Sequence, residues 1–145
     1  MKFCLALTLG LAAGVFLTHA AETDGVAFFG HDQVATALAK GGTLLKRATY
    51  SVSGSHRDKA GQVEVHDKET DVFYVVDGSA TFVTGGTMIG GKVISPGQWH
   101  GTEIRGGETH HLAKGDVMVI PAGTPHWFKM VPTQVSYFVV KVIQP

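Results

Sequence analysis

The sequence predicts an all-β domain of barrel or sandwich type preceded by one short helix. Three observations carry that expectation. After Gly42 the chain breaks into short runs rich in Val, Ile, Thr, Tyr and Phe, separated by Gly, Pro, Asp and Ser every eight to twelve residues. Only the stretch between Gly30 and Gly42 places apolar residues at helical spacing. Finally, 145 residues that are 44% hydrophobic, with 12 basic and 12 acidic side chains, make one domain with a sizeable core. That balance excludes disorder and gives no basic field for nucleic acid.

The first twenty residues stand apart. Lys2 is their only charge, and an apolar run from Phe3 to Leu17 leads into Thr18-His19-Ala20. This pattern reads as a secretory signal peptide cleaved after Ala20, because the run falls short of the ~20 residues a membrane span needs. Residues 21–42 then form an N-terminal helical segment, and residues 43–145 the β-barrel. Export sends the protein to a periplasm or to the exterior. The single cysteine, Cys4, lies in the leader, so the mature chain has no disulfide to form.

In "GHDQVATALAKGG", Val34, Leu38 and the alanines fall on one helical face, His31 or Asp32 stands where an N-cap belongs, and Gly41-Gly42 ends the helix. The strand runs that follow begin with "TLLKRATYSVS", "GQVEVH", "DVFYVVDG" and "SATFVTGG". "TMIGGKVI", "THHLAKGD", "VMVIPAG", "HWFKMV" and "QVSYFVVKVI" complete the set. Gly85 to Gly107 reads as a glycine-rich surface excursion, a long hairpin or loop joining two halves.

Two segments carry chemistry. In "VEVHDKETDVFYVVDG", Glu64 and His66 lie two residues apart and leave a strand by the same face, with Val63 and Val65 on the other. Asp71 follows across a tight "DKET" connection that can fold it back beside the pair, and Asp77-Gly78 offers hairpin-turn chemistry. In "GDVMVIPAGTPHWF", a stiff Pro-Ala-Gly-Thr-Pro turn presents His126, and Phe128 shares its face.

These residues resemble the two signature motifs of the cupins, G-x5-H-x-H-x(3,4)-E-x6-G and G-x5-P-x-G-x2-H-x3-N. The second is matched by Gly115, Pro121, Gly123 and His126, with Met130 in the place of the asparagine. In the first, Glu64 replaces the leading histidine, His66 is the second histidine, Asp71 replaces the glutamate and Gly78 closes the motif. The resemblance implies a cupin-type β-barrel (a double-stranded β-helix or jelly roll) in which Glu64, His66, Asp71 and His126 hold one divalent ion. Two nitrogens and two carboxylates suit Fe²⁺, Mn²⁺ or Zn²⁺. Asp71 is one methylene shorter than glutamate, a loss of reach of roughly 1.5 Å. A second arrangement uses His66, Asp71 and His126 as the ligand face and leaves Glu64 as a general base.

Around this set, His56 and Arg57 could reach a substrate carboxylate at the barrel mouth. Phe73, Phe82 and Phe128 are the aromatic residues expected inside, where they would contact a small organic ligand. His110 and His111 are adjacent, so one faces inward and one outward. His100 falls in the excursion and reads as exposed. No nucleophile motif, acidic dyad of defined spacing or phosphate-cradling glycine loop is present. The leading expectation is a metal-dependent enzyme on a small molecule, either a dioxygenase or a lyase or isomerase. A non-catalytic cupin that binds a sugar or carboxylate is the alternative. The expected partners are a small molecule and a second copy of the chain, with no nucleic acid and no membrane span after cleavage.

Overall fold

A computed structural model describes residues 25–145; the expected signal peptide lies outside the described residues. One helix, α1 (His31–Lys40), precedes twelve strands. Its N-cap is Gly30 rather than His31 or Asp32, and the Gly30 amide donates to Gln33 Oε1 at 3.1 Å. Gly41, at φ +74°, ends the helix as the Gly-Gly pair predicts. The helix lies across Gly54 so closely that a Cβ there would sit 2.6 Å from the Ala37 backbone.

The predicted runs become β1 (Gly42–Lys46), β2 (Tyr50–Arg57), β3 (Val63–His66) and β4 (Glu69–Thr84). Then follow β5 (Thr87–Ile89), β6 (Lys92–Ser95), β7 (Gln98–Gly101) and β8 (Glu103–Arg105). The remainder are β9 (Glu108–Ala113), β10 (Val117–Ile120), β11 (His126–Met130) and β12 (Val135–Ile143). Two expectations are corrected here. Asp77-Gly78 does not close a hairpin: β4 runs straight through it for 16 residues. Gly78, at φ +78°, instead bends the strand, and the pairing with β12 skips a residue between Tyr137 and Ser136. The excursion from Gly85 to Gly107 is half sheet, because β7 pairs with β3 along its whole length.

The bend in β4 organises the molecule. Its first half lies between β12 and β10, in the order β1-β2-β12-β4-β10, and its second half between β9 and β11, in the order β9-β4-β11-β3-β7-β6. One strand thus belongs to both faces of a curled antiparallel sheet, the cupin-type architecture. Alternation sends Phe73, Val75, Phe82, Phe128, Val135 and Tyr137 inward to form the main core. A smaller cluster of Val63, Val83 and Ile104 packs under Trp127 and Met88. The outer face of β10, β4, β12 and β2 is apolar too, with Val117 and Val119 63% and 60% exposed beside Tyr74, Val142 and Tyr50. No helix among the described residues is long and apolar enough to cross a membrane.

Candidate metal centre

Three strands deliver the two histidines and two carboxylates. β3 carries Glu64 and His66 on one face, β4 carries Asp71, and β11 begins at His126, which lies opposite Glu64 in register. The Pro-Ala-Gly turn is tied to the site directly, since the Gly123 amide donates to the His66 carbonyl at 2.7 Å. His66, Asp71 and His126 are only 7%, 2% and 4% exposed. Such burial is costly for groups of this kind unless they are paired or bind an ion.

The imidazoles are oriented from behind. His66 Nδ1–H donates to Gln98 Oε1 on β7, and His126 Nδ1–H donates to the Thr124 carbonyl at 3.0 Å. In the neutral rings both lone pairs therefore sit on Nε2, and the ring centres lie 5.0 Å apart. His66 Nε2 is buried without a hydrogen-bond partner, 3.6 Å from Glu64 Oε2 and 3.5 Å from Asp71 Oδ2. Glu64, His66 and His126 each offer a donor atom within 4.8 Å of the others. An orphaned buried nitrogen inside a nitrogen–nitrogen–oxygen triangle fits a divalent cation of intermediate hardness.

Asp71 is placed beside the pair, as the tight connection predicts, but it has another partner. Lys141 Nζ on β12 donates to its Oδ1 at 2.8 Å and its Oδ2 at 3.1 Å, and reaches Glu69 Oε2 at 2.9 Å. Asp71 falls in a second cluster with His66 and Glu69, yet its Oδ2 also lies 3.9 Å from His126 Nε2 and so borders the Glu64–His66–His126 cluster. Burial acts to raise the Asp71 pKa, but His66 and Lys141 outweigh it and hold the carboxyl below 3.8. Burial acts to lower that of His66, yet Asp71 and Glu64 raise it above 6.5 against the Lys141 charge. His126 goes the other way, lowered by burial foremost and by His66.

A cavity of about 170 Å³ opens beside this centre, lined by Arg57, Glu64, Phe73, His126, Phe128 and Tyr137 among others. Arg57 spans it, with Nη2 3.3 Å from Glu64 Oε1, Nε donating to the Tyr137 hydroxyl at 3.2 Å and its guanidinium 4.8 Å over the Phe128 ring. Glu64, expected as a free base in one arrangement, thus gives one oxygen to Arg57 and turns the other toward His66. Phe73 and Phe128 line the cavity. Phe82 is fully buried behind Phe128, 4.6 Å away ring to ring, and does not border the cavity. His56 is separated from Arg57 by strand alternation: it sits on the other face of β2, its Nδ1 2.9 Å from Ser136 Oγ. His110 is half-buried against Thr84 Oγ1 and His111 is exposed. His100, expected to be exposed, is half-buried on β7, opposite Glu64 in register.

Sequence reasoning missed three polar residues at the site, Gln98, Glu69 and Lys141, as well as Tyr137 in the cavity wall. Lys141 had a signal: it shares the strand phase of Tyr137 and Val139, a lone charge on an inward face. Burial raises the Tyr137 phenol above 10.0, only partly offset by Arg57. A folded-state pKa above the unfolded one stabilises fully below pH 10 and is lost as pH rises past it. In an absorbance titration at 295 nm, one of the three tyrosines is expected to ionise late, and Tyr137→Phe to abolish that phase alone. A late phase that survives the substitution contradicts the placement.

A curled double sheet closed by one shared strand, with histidines and carboxylates gathered at its opening, defines the metal-binding barrel class. Residues 58–145 match the family model described as Cupin, and the chain belongs to the cupin family. No curated protein matches it. Among solved structures, it is similar to the Cnp3 cupin domain of Schizosaccharomyces pombe, at 12% identity and a TM-score of 0.53 over 71% of this chain and 63% of that one. It is also similar to KdgF from Halomonas sp., at 15% identity and a TM-score of 0.51 over 72% of this chain and 79% of that one. TT1209 from Thermus thermophilus aligns at 19% identity and a TM-score of 0.48 over 71% of this chain and 81% of that one. Identities this low bear on the fold alone.

Proposed function

We propose that this cupin is a metal-dependent enzyme acting on a small organic anion, with Glu64, His66 and His126 as the ligands of one divalent ion. The observation that carries the reading is the buried His66 Nε2 without a hydrogen-bond partner, 3.6 Å from Glu64 Oε2 and clustered with Glu64 and His126 beside a cavity. Two histidines and one carboxylate leave coordination positions open, the arrangement of non-haem iron oxygenases. When bound, an ion there supplies a Lewis acid and, as iron, a redox couple for dioxygen. The roles of the surrounding side chains follow from their geometry. Arg57 and Lys141 offset two of the three carboxylates Glu64, Asp71 and Glu69, so a divalent ion leaves the site with one net positive charge, suited to a carboxylate. Arg57 binds and orients that group, Phe73 and Phe128 exclude water around its carbon skeleton, and Gln98 holds the His66 tautomer. Glu64 serves as a ligand rather than as a free base.

The test is oxygen uptake by the Fe²⁺-loaded protein against a panel of small carboxylates. Uptake is expected with at least one of them, and Arg57→Gln should raise KM by ~10-fold or more, the worth of one charge-assisted contact. Isomerised or cleaved product without oxygen uptake would move the reading to a lyase or isomerase. A ligand-binding cupin is the second reading, favoured by Lys141, which already neutralises Asp71 without any ion. A ligand held tightly and recovered unchanged after long incubation with every metal would establish it.

Export and pairing belong with this reading. The outer face bearing Val117, Val119 and Tyr74 is contiguous and uncharged, so an equally uncharged patch fits it best. A second copy related by a two-fold axis supplies one. Protein recovered from the periplasm or medium is expected to begin at Ala21 and to scatter light as a dimer. An intact leader or a monomer would remove the corresponding part.

A further inference from the structure

We infer that Lys141 is a resident cation of this site, seated in a second carboxylate cluster so that the barrel takes one divalent ion where its side chains could otherwise take two. The inference rests on the ion reading of Glu64, His66 and His126 and extends it to the neighbouring residues. His66 belongs to both clusters, with Glu64 and His126 on one side and with Glu69 and Asp71 on the other. The second side already holds a positive charge. The ammonium lies 2.8 Å from Asp71 Oδ1, 3.1 Å from Asp71 Oδ2 and 2.9 Å from Glu69 Oε2. Its three protons thus meet three oxygens, and no other ligand is needed.

The placement is fixed by backbone pairing, since Lys141 stands opposite Asp71 in the register of β12 and β4. A divalent ion bound to the same oxygens would compete with the ammonium for their lone pairs and be repelled by its charge, so occupancy by one disfavours the other. His66 is the residue both clusters share, and its Nε2, 3.6 Å from Glu64 Oε2 and 3.5 Å from Asp71 Oδ2, is buried without a hydrogen-bond partner. With Lys141 in place, only the Glu64 side is open to an ion. The ammonium also sets a like charge beside any ion bound there, so the site holds its ion more loosely than its donors permit. Lys141 is a positioning residue for Asp71 and a limiter of metal number.

The test is titration of the full mature chain with Mn²⁺ alone, followed by calorimetry and by the loss of the free-ion spin-resonance signal. Lys141→Met is expected to bind Mn²⁺ at least tenfold more tightly, or to bind a second ion. Its thermal midpoint should also become strongly Mn²⁺-dependent. The double variant Asp71→Asn/Lys141→Met keeps the net charge and neutralises the more buried of the two acids that Lys141 pairs, leaving only Glu69 without its cation, so it remains informative if the single variant fails to fold. It is expected to bind one ion within threefold of the parent. Unchanged or weaker binding by a folded Lys141→Met, or loss of binding in the double variant, would overturn the inference. If the parent binds no Mn²⁺ and Lys141→Met binds one, the ion reading of the parent fails and the role of Lys141 stands. If the parent binds one and Lys141→Met is identical to it, the reverse holds.

Discussion

Prepared without chelator, the protein is expected to carry close to one divalent ion per chain, and His66→Ala and His126→Ala to carry none. Both imidazoles keep Nε2 on the side of Asp71 Oδ2, at 3.5 and 3.9 Å, with their Nδ1–H groups held by Gln98 and by the Thr124 carbonyl. Removing either ring leaves one nitrogen and one carboxylate, too few donors to compete with water. The fold should survive, since the rings border the cavity end of the core and the sheet pairing does not depend on them. Gln98→Ala makes a graded control: the ligands stay, the His66 tautomer is released, and affinity should fall ~10- to 100-fold. Elemental analysis of the four proteins checks this, with circular dichroism to show that each is folded. Metal retained at full stoichiometry in both alanine variants would remove these histidines from the site. In the parent, chelation should lower the thermal midpoint, because an ion at a thousand times its Kd adds ~4 kcal/mol to the folded state.

Gly78→Ala is expected to be the most damaging single-methyl change in the molecule. The residue lies at φ +78°, where a side chain costs ~1–2 kcal/mol, and a Cβ would drive into the Gln134 carbonyl and reach 3.0 Å from the Val135 Cα. That carbonyl already accepts the Ser79 amide at 3.1 Å, so it cannot retreat without breaking the pairing that makes the bend. Strain and overpacking together should cost ~3–5 kcal/mol, much of a small domain's stability. Gly123→Ala is the matched control, with a similar φ of +76° but open space around its Cβ. Urea midpoints for the two variants measure the difference. Equal midpoints would show that the bend tolerates a side chain and that only backbone preference is at stake.

Much of this architecture is legible in the sequence, and what is not has physical reasons. Alternation places Glu64 and His66 on one face and Phe73 and Phe128 inside, because a period of two is a local property of an extended chain. The Pro-Ala-Gly turn is equally readable, since proline and glycine restrict the backbone on their own. Asp77-Gly78 misleads because a positive φ serves a hairpin turn and a strand bend alike, and only the partner strand decides between them. Gln98 is hidden in a glycine-rich stretch whose pairing with β3 is a long-range event. Asp71 does lie near His66 as its motif position implies, but its partner Lys141 stands 70 residues further along the chain. Motif position alone cannot reveal that an ammonium has taken the other side of the carboxylate.

The placement of β12 also bears on how the molecule is made. This strand lies between β2 and the first half of β4, and its contacts reach back 80 residues to His56 and Arg57. Until β12 has left the ribosome, β2 lacks its central neighbour, Asp71 lacks its counter-charge and Arg57 lacks Tyr137. Assembly therefore waits on β12 and is dominated by distant pairings, a topology associated with folding in milliseconds to seconds. The nascent chain spends that interval as unpaired strands with long apolar stretches exposed, when a chaperone or a translocation partner has its best opportunity to engage it. A truncation that removes β12 should thus yield no partly working barrel, but a chain that never closes.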